Sequence, residues 1–274
     1  PYGPGNSEPK FLIENVKGLT SASNYRDLIE LSLSDTGGGY YVSSEILNAR
    51  KFGIPKNVIR IFFIGVRKDI GKKYKIKPAH IFDNIKKNQT TAITLEDAIG
   101  DLPYVYANNR PNNYKKESEI SFNNKNSFGM NISDNAYKEL LNNYLPYRDL
   151  INEFNNEVIE PAFLYNHKSR YNNERDLFIY KNLAPGKYLN DPLNEKALSK
   201  IEYGVQFTEN GKKELKNFQD KYFKLDYKSV SKTIIAHLEV DGNSYVHPGP
   251  NPRSITPREA ARIQSFPDWY FFRG

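Results

Sequence analysis

The sequence predicts an α/β protein joined to a smaller, loop-rich domain, and three observations carry that expectation. Apolar and β-branched runs alternate with a helix-period segment over the first third of the chain. From Tyr104 to about Lys228 the texture changes: asparagine, tyrosine, lysine and serine dominate, turn residues recur, and strongly periodic stretches are few. Ordinary patterning returns near Lys232 and ends in a well-signalled helix.

Taken in order, Pro1, Gly3, Pro4, Gly5 and Pro9 make the start of the chain irregular. Phe11-Leu12-Ile13 is apolar on successive residues, the pattern of a strand buried on both faces in a parallel sheet. It stops at Glu14-Asn15, so a carboxylate stands at the strand's C-terminal end, where open α/β sheets place ligands. Asn24 to Leu33 has helical spacing and is closed by Gly37-Gly38-Gly39. Those glycines read as a helix-to-strand loop, because no Gly-x-Gly-x-x-Gly opens a helix after them. Tyr40–Leu47 and Arg60–Val66 read as strands separated by a Gly53-Ile54-Pro55 turn. The order strand, helix, strand, strand implies a sheet with one antiparallel member. Lys232–Leu238 reads as a further strand and Asp241-Gly242 as a hairpin turn. Thr256-Pro257-Arg258-Glu259 combines an N-cap threonine, proline at the first helical position and glutamate at the third. The helix it opens should run to about Ser265, ahead of Phe266-Pro267.

Composition narrows the chemistry. With 38% hydrophobic residues among 274, a mean hydropathy of −0.70 and no apolar run of spanning length, no membrane partner is expected. The chain has no cysteine, which excludes disulfides, thiolate metal sites and a cysteine nucleophile from these residues. His80, His167, His237 and His247 lie far apart and form no metal-ligand spacing, so no metal is expected. No secretory or transit pattern opens the sequence, which makes a cytoplasmic location the expectation. The net charge is +7, and it is unevenly spread: twelve lysines and arginines face two aspartates between Arg50 and Lys87. Such a tract is either a solvated lysine-rich surface or a track for phosphates.

Five segments together resemble the DNA cytosine-5 methyltransferases of bacterial restriction-modification systems. Phe11-Leu12-Ile13-Glu14-Asn15-Val16 resembles the family's Glu-Asn-Val motif. Leu47-Asn48-Ala49, Phe52-Gly53-Ile54-Pro55 and Arg60 to Gly65 resemble the motif usually built as Gln-x-Arg-x-Arg. Arg253 to Asp268 is close to the late helix motif, and Thr94 to Pro103 and Ala236 to Pro248 match connecting pieces. The resemblance implies part of a Rossmann-like methyltransferase sheet plus a target-recognition domain. On that basis residues 1–103 belong to the catalytic α/β domain, 104–250 to target recognition, and 251–274 to a late helix at the domain junction.

The resemblance also implies roles. The family adds a thiolate to C6 of a flipped cytosine, which makes C5 nucleophilic toward the sulfonium methyl of S-adenosylmethionine. Glu14 matches the carboxyl that bonds N3 and the exocyclic amine, and Arg60 the guanidinium that stabilises charge on O2. Asn15 and Val16 match the support of that pocket, and Lys56, Arg253, Thr256, Arg258 and Arg262 are candidates for contacts to duplex DNA. Without the resemblance, Glu14 is also readable as a solvated strand end and Arg60 as a sheet cover laid down by its aliphatic stem. Lys56 and Val58 stand where the family has Gln and the first Arg. No Phe-x-Gly-x-Gly cofactor loop and no Pro-Cys-Gln loop is present. The chain is therefore expected to be the C-terminal portion of an enzyme, inactive alone and completed by an N-terminal catalytic half or subunit. A specificity subunit of a split methyltransferase and a non-catalytic DNA- or RNA-binding protein are the alternatives.

Overall fold

The structure is a computed structural model that describes residues 10–20, 24–107, 129–131, 151, 163–216, 220–238 and 240–272. Much of the loop-rich stretch expected over 104–228 lies outside the described residues. The chain is mixed α/β and divides into two compact units, one of residues 1–53 and 57–92, the other of residues 54–56 and 93–274.

The first unit is a three-stranded sheet with helices. In chain order it contains β1 (Lys10–Val16), α1 (Tyr25–Asp35), β2 (Tyr40–Asn48), β3 (Ile59–Arg67), α2 (Lys68–Tyr74) and α3 (Pro78–Lys87). The strand order is β1-β3-β2, and β3 runs antiparallel to both neighbours, so β1 and β2 are parallel to each other. The antiparallel member implied by the element order is β3. Strand alternation sorts the side chains into two faces. Phe11, Ile13, Ser44, Ile61 and Phe63 share one, where Arg26 of α1 donates from Nε to Ser44 Oγ at 2.6 Å. Glu14, Glu45, Arg60 and Phe62 share the other, where Lys86 of α3 bonds Glu45 at 2.7 Å. Gly65 has a structural reason to lack a side chain: its Cβ would lie 2.0 Å from the Phe11 ring, which covers it and packs on Tyr40.

β1 departs from the expectation of a strand buried on both faces. It pairs only with β3 and is an edge strand of this sheet, with Leu12 65% and Val16 52% exposed. The apolar run is present, but only Phe11 is half-buried, against Gly65 and Tyr40, and the opposite face at Leu12 is left open among the described residues.

The second unit contains α4 (Leu95–Ile99), β4 (Gly129–Asn131), β5 (Phe163–Tyr165), α5 (Glu174–Asn182), α6 (Glu195–Leu198), β6 (Val205–Phe207), β7 (Lys213–Leu215) and α7 (Pro257–Ile263). Both α4 and α7 begin with reciprocal capping boxes, Thr94 with Asp97 and Thr256 with Glu259. Leu95, Ala98 and Ile99 of α4 bury against Ala260 and Ile263 of α7, with Tyr245 and Ile255 completing the cluster. That packing moves the boundary from the expected residue 103 to residue 92 and makes the late helix part of this unit's core. α7 starts and is capped as the sequence indicates, though it ends at Ile263 rather than Ser265.

Two local expectations fail. Lys232–Leu238 is not a strand, and Asp241-Gly242 opens a short 3-10 turn (Gly242–Ser244) rather than a hairpin. A side chain does the work of a neighbouring strand here. The Tyr245 hydroxyl donates to the Thr233 carbonyl at 2.8 Å and accepts from the Ile235 N–H at 3.0 Å. Among the described residues no helix is long and apolar enough to cross a membrane.

Candidate functional site

Register brings the two principal candidates together. Glu14 lies opposite Phe62 in the antiparallel pair, and Arg60 is two residues from Phe62, so Glu14 and Arg60 are diagonal neighbours on one face. Long side chains bridge such diagonals, and Arg60 Nε lies 2.7 Å from Glu14 Oε1. The two side chains remain 35% and 49% exposed, so a ligand can reach both. A second bond from Arg60 Nη1 to the Ile59 carbonyl, at 3.1 Å, fixes the guanidinium.

The remaining candidates separate. Val16, directly across from Arg60, shares this face. Asn15 does not: alternation turns it to the other face, and its Oδ1 accepts from the Val16 N–H at 2.8 Å. The described structure therefore gives Asn15 a strand-end role and no contact with Glu14 or Arg60. Lys56 is half-buried, with Nζ 3.4 Å from Gln264 Oε1.

Arg60 also borders a pocket of about 180 Å³ lined by Leu47, Ala49, Phe52, Val58, Phe62 and Ile85. Apart from Arg60 that lining is apolar and offers no polar side chain to a ribose, a purine or an amino-acid group. It does not fit S-adenosylmethionine. Among the described residues no cluster of histidine, aspartate and glutamate converges on a metal position either.

The late-helix candidates for DNA contact are corrected by their burial. Arg253, Thr256, Arg258 and Arg262 are all at most 1% exposed. Arg253 grips Glu259 bidentately, at 2.7 and 2.8 Å, and donates to the Val105 carbonyl. Arg262 pairs with Asp268 at 2.6 Å and Asp101 at 3.0 Å. Arg258 donates to the carbonyls of Tyr165, Pro267 and Tyr270. These guanidiniums hold distant loops to α7. Basic residues on a helix suggest a phosphate-facing surface only when their acidic partners are unknown, and Asp101 is far away in sequence. The sequence offered one usable signal, the capping box that fixes Glu259.

Two histidines complete this hub. His167 Nε2 faces the Pro103 carbonyl at 2.6 Å, a group that only accepts, so Nε2 carries the proton and Nδ1 accepts from the Thr256 hydroxyl at 3.0 Å. His247 Nδ1 accepts from the Gly249 N–H at 3.0 Å, leaving Nε2 toward Glu259 at 3.5 Å. Burial pushes His247 down to about 4 against the pull of Glu259, and also lowers His167. Burial alone would raise the Glu259 carboxyl, but Arg253 more than reverses this and holds it at about 2.

Between pH 6.5 and 4 the unfolded chain binds a proton on His247 that the folded chain refuses. Stability is thus full above pH 6.5 and should fall by about 3 kcal/mol on acidification to pH 4. Glu259 adds a further loss below its ordinary value of 4.5. Urea melts across this range check the slope, which His247→Asn should flatten between pH 6.5 and 4.

The sequence and the fold find counterparts among known proteins. The family model for C-5 cytosine-specific DNA methylase matches residues 6–274. A protein of Oceanobacillus iheyensis named as a type II methyltransferase is 28% identical over 85% of this chain and 56% of its own length. The type II methyltransferase M.Bpa9945I of Bacillus paralicheniformis is 25% identical over 97% of this chain and 54% of its own. M.AgeI of Thalassovita gelatinovora is 28% identical over 96% and 67%. The chain thus spans about half the length of the first two relatives. A crystal structure described as a prophage-encoded DNA modification methyltransferase of E. coli superimposes with a TM-score of 0.54 at 20% identity, covering 97% of this chain and 61% of that one.

Proposed function

The chain therefore belongs to the C-5 cytosine-specific DNA methylase family, and from that premise we propose that it carries the cytosine-pocket and target-recognition half of a restriction-modification methyltransferase. The whole enzyme transfers a methyl group from S-adenosylmethionine to C5 of a cytosine flipped out of duplex DNA. The observation that carries this reading is the Glu14–Arg60 pair on adjacent strands, both members reachable from solvent.

A flipped cytosine offers N3, O2 and an exocyclic amine along one edge. The Glu14 carboxyl bonds N3 and the amine and holds the proton that N3 needs as charge develops in the ring. Arg60 donates to O2, where negative charge also accumulates. Their mutual pairing keeps both groups oriented before the base arrives, so little reorganisation accompanies binding.

The finer architecture follows the same reading. Two parallel strands flanking an antiparallel third form one edge of a Rossmann-like sheet, which continues past β1 into an N-terminal half. The exposed Leu12 and Val16 and the open edge of β1 support this. That half supplies the nucleophilic cysteine and the cofactor site, since the present residues include no cysteine and the pocket beside Arg60 does not suit the cofactor. Residues of the second unit read the DNA sequence, and the enzyme works in the cytoplasm at the nucleoid.

Reconstitution tests the reading. This chain alone should incorporate no methyl group from labelled S-adenosylmethionine into duplex DNA. A cysteine-bearing N-terminal half that co-purifies with it should restore incorporation at one duplex sequence. Incorporation by the chain alone, or a co-purifying pair that never methylates, overturns the proposal.

A further inference from the structure

We propose that the turn joining α2 to α3 in the first unit is a second, sequence-independent binding site for duplex DNA, gripping phosphates through Lys72, Lys73, Lys75 and Lys77. All four lysines are exposed, and no carboxylate among the described residues pairs with any of them. Of the nearby acids, Asp69 is engaged by Arg67 at 2.7 Å and Glu45 by Lys86 at 2.7 Å, which leaves Asp83, exposed on α3, against the four lysines. The local field is therefore net positive.

The turn that carries these charges is rigid. The N–H groups of both Lys75 and Ile76 bond the Gly71 carbonyl, and a Cβ at Gly71 would strike the Tyr41 ring at 2.8 Å. Lys75 itself is left-handed, at φ 55°, a conformation that costs a lysine roughly 1 kcal/mol or more and suits glycine or asparagine. A lysine held there against its own preference, with a cation on either side, points to a use for the charge. Positive charge continues along the unit. Lys87 closes α3, about 15 Å from Lys77 by helix rise, beside Lys86, whose charge Glu45 already offsets. The Thr90 N–H bonds the Lys51 carbonyl at 2.8 Å and so brings Lys51 beside that end.

This surface is remote from the proposed cytosine pocket. Arg60 stands near the start of β3 and α2 leaves its end, roughly 23 Å away at strand rise. One duplex bound at the pocket therefore needs several further base pairs to reach the turn. Duplex DNA fits better than an anionic bilayer. The apolar side chains Phe82 and Ile85 of α3 are turned inward, leaving only Tyr74 and Ile76 among the lysines for insertion.

The choice of DNA as the polyanion rests on the proposed function, but its test does not need methylation. Anisotropy of a labelled random-sequence duplex should be titrated against this chain from about 50 to 200 mM salt. Changing the four lysines to glutamine should reduce the log–log salt slope by about 3 and weaken binding more than tenfold at the low-salt end. The corresponding four arginine substitutions should keep both. An unchanged slope in the glutamine variant overturns the proposal. So does binding to phosphatidylserine vesicles that the glutamine variant loses while its DNA slope persists. Failure of methylation in the reconstituted enzyme, with the slope change intact, would count against the cytosine chemistry only.

Discussion

Replacing Glu259 with alanine should remove about 3–5 kcal/mol of folding free energy from the second unit, the largest stability effect expected of any single substitution here. The carboxylate is fully buried and satisfies four donors at once: two from Arg253, the Thr256 backbone N–H and, more loosely, the His247 ring. Its removal strands the Arg253 guanidinium without solvent or counter-ion. It also opens half of the capping box: the Thr256 backbone N–H loses its acceptor, while the Thr256 hydroxyl still caps the N–H of residue 259. Glu259→Gln retains the shape and the cap while deleting the charge, and should lose less than the alanine variant. The double change Arg253→Met with Glu259→Leu should recover part of the loss, since a buried pair replaced by apolar volume leaves no orphaned charge. Urea denaturation of the three variants gives the ordering, and a loss under about 1 kcal/mol for Glu259→Ala contradicts the account.

In the reconstituted enzyme, Arg60→Ala should lower kcat about 10²- to 10³-fold, as removal of one donor to a developing oxyanion does. Affinity for duplex DNA should change little, because one half-exposed cation among many contributes modestly to phosphate binding. Arg60→Lys should rescue poorly. The ammonium has no planar fork to bond Glu14 and a pyrimidine oxygen in fixed directions. Glu14→Gln separates shape from proton supply: it keeps a hydrogen-bonding group at the base edge but loses the titratable one, so kcat should fall more than KM rises. Equal losses in DNA affinity and turnover would instead mark both residues as binding groups.

How much of this was legible in the sequence depends on the range of the interactions involved. The strands β2 and β3, the helix α1 and the cap of α7 follow from local pattern, and each falls within a few residues of its expected place. The meeting of Glu14 with Arg60 needed one non-local fact, the pairing of β1 with β3, which the family motifs anticipated. The fate of Arg253, Arg258 and Arg262 was hidden, because an arginine two turns along a helix looks the same whether phosphate or Asp101 awaits it. Phe11-Leu12-Ile13 misled for a related reason: a run patterned for burial reports the surroundings it was selected for, and the described residues supply only one neighbouring strand. The segment at Lys232 failed through a single side chain, Tyr245, whose hydroxyl meets hydrogen-bonding needs that periodicity assigns to a sheet.

The placement of β3 between β1 and β2 has a kinetic consequence. β1 and β2 never touch through backbone hydrogen bonds, so neither can pair until residues 59–67 are available. β2 and β3 are joined by a short connection and form a hairpin, the cheaper closure. β1 must then be carried across residues 17–39, α1 included, to reach the far side of that hairpin. Its docking is the high-contact-order step and sets the rate at which the sheet assembles. It also brings Glu14 to Arg60 and Phe11 over Gly65 in the same event. Of these three strands, the first in sequence is the last to be placed.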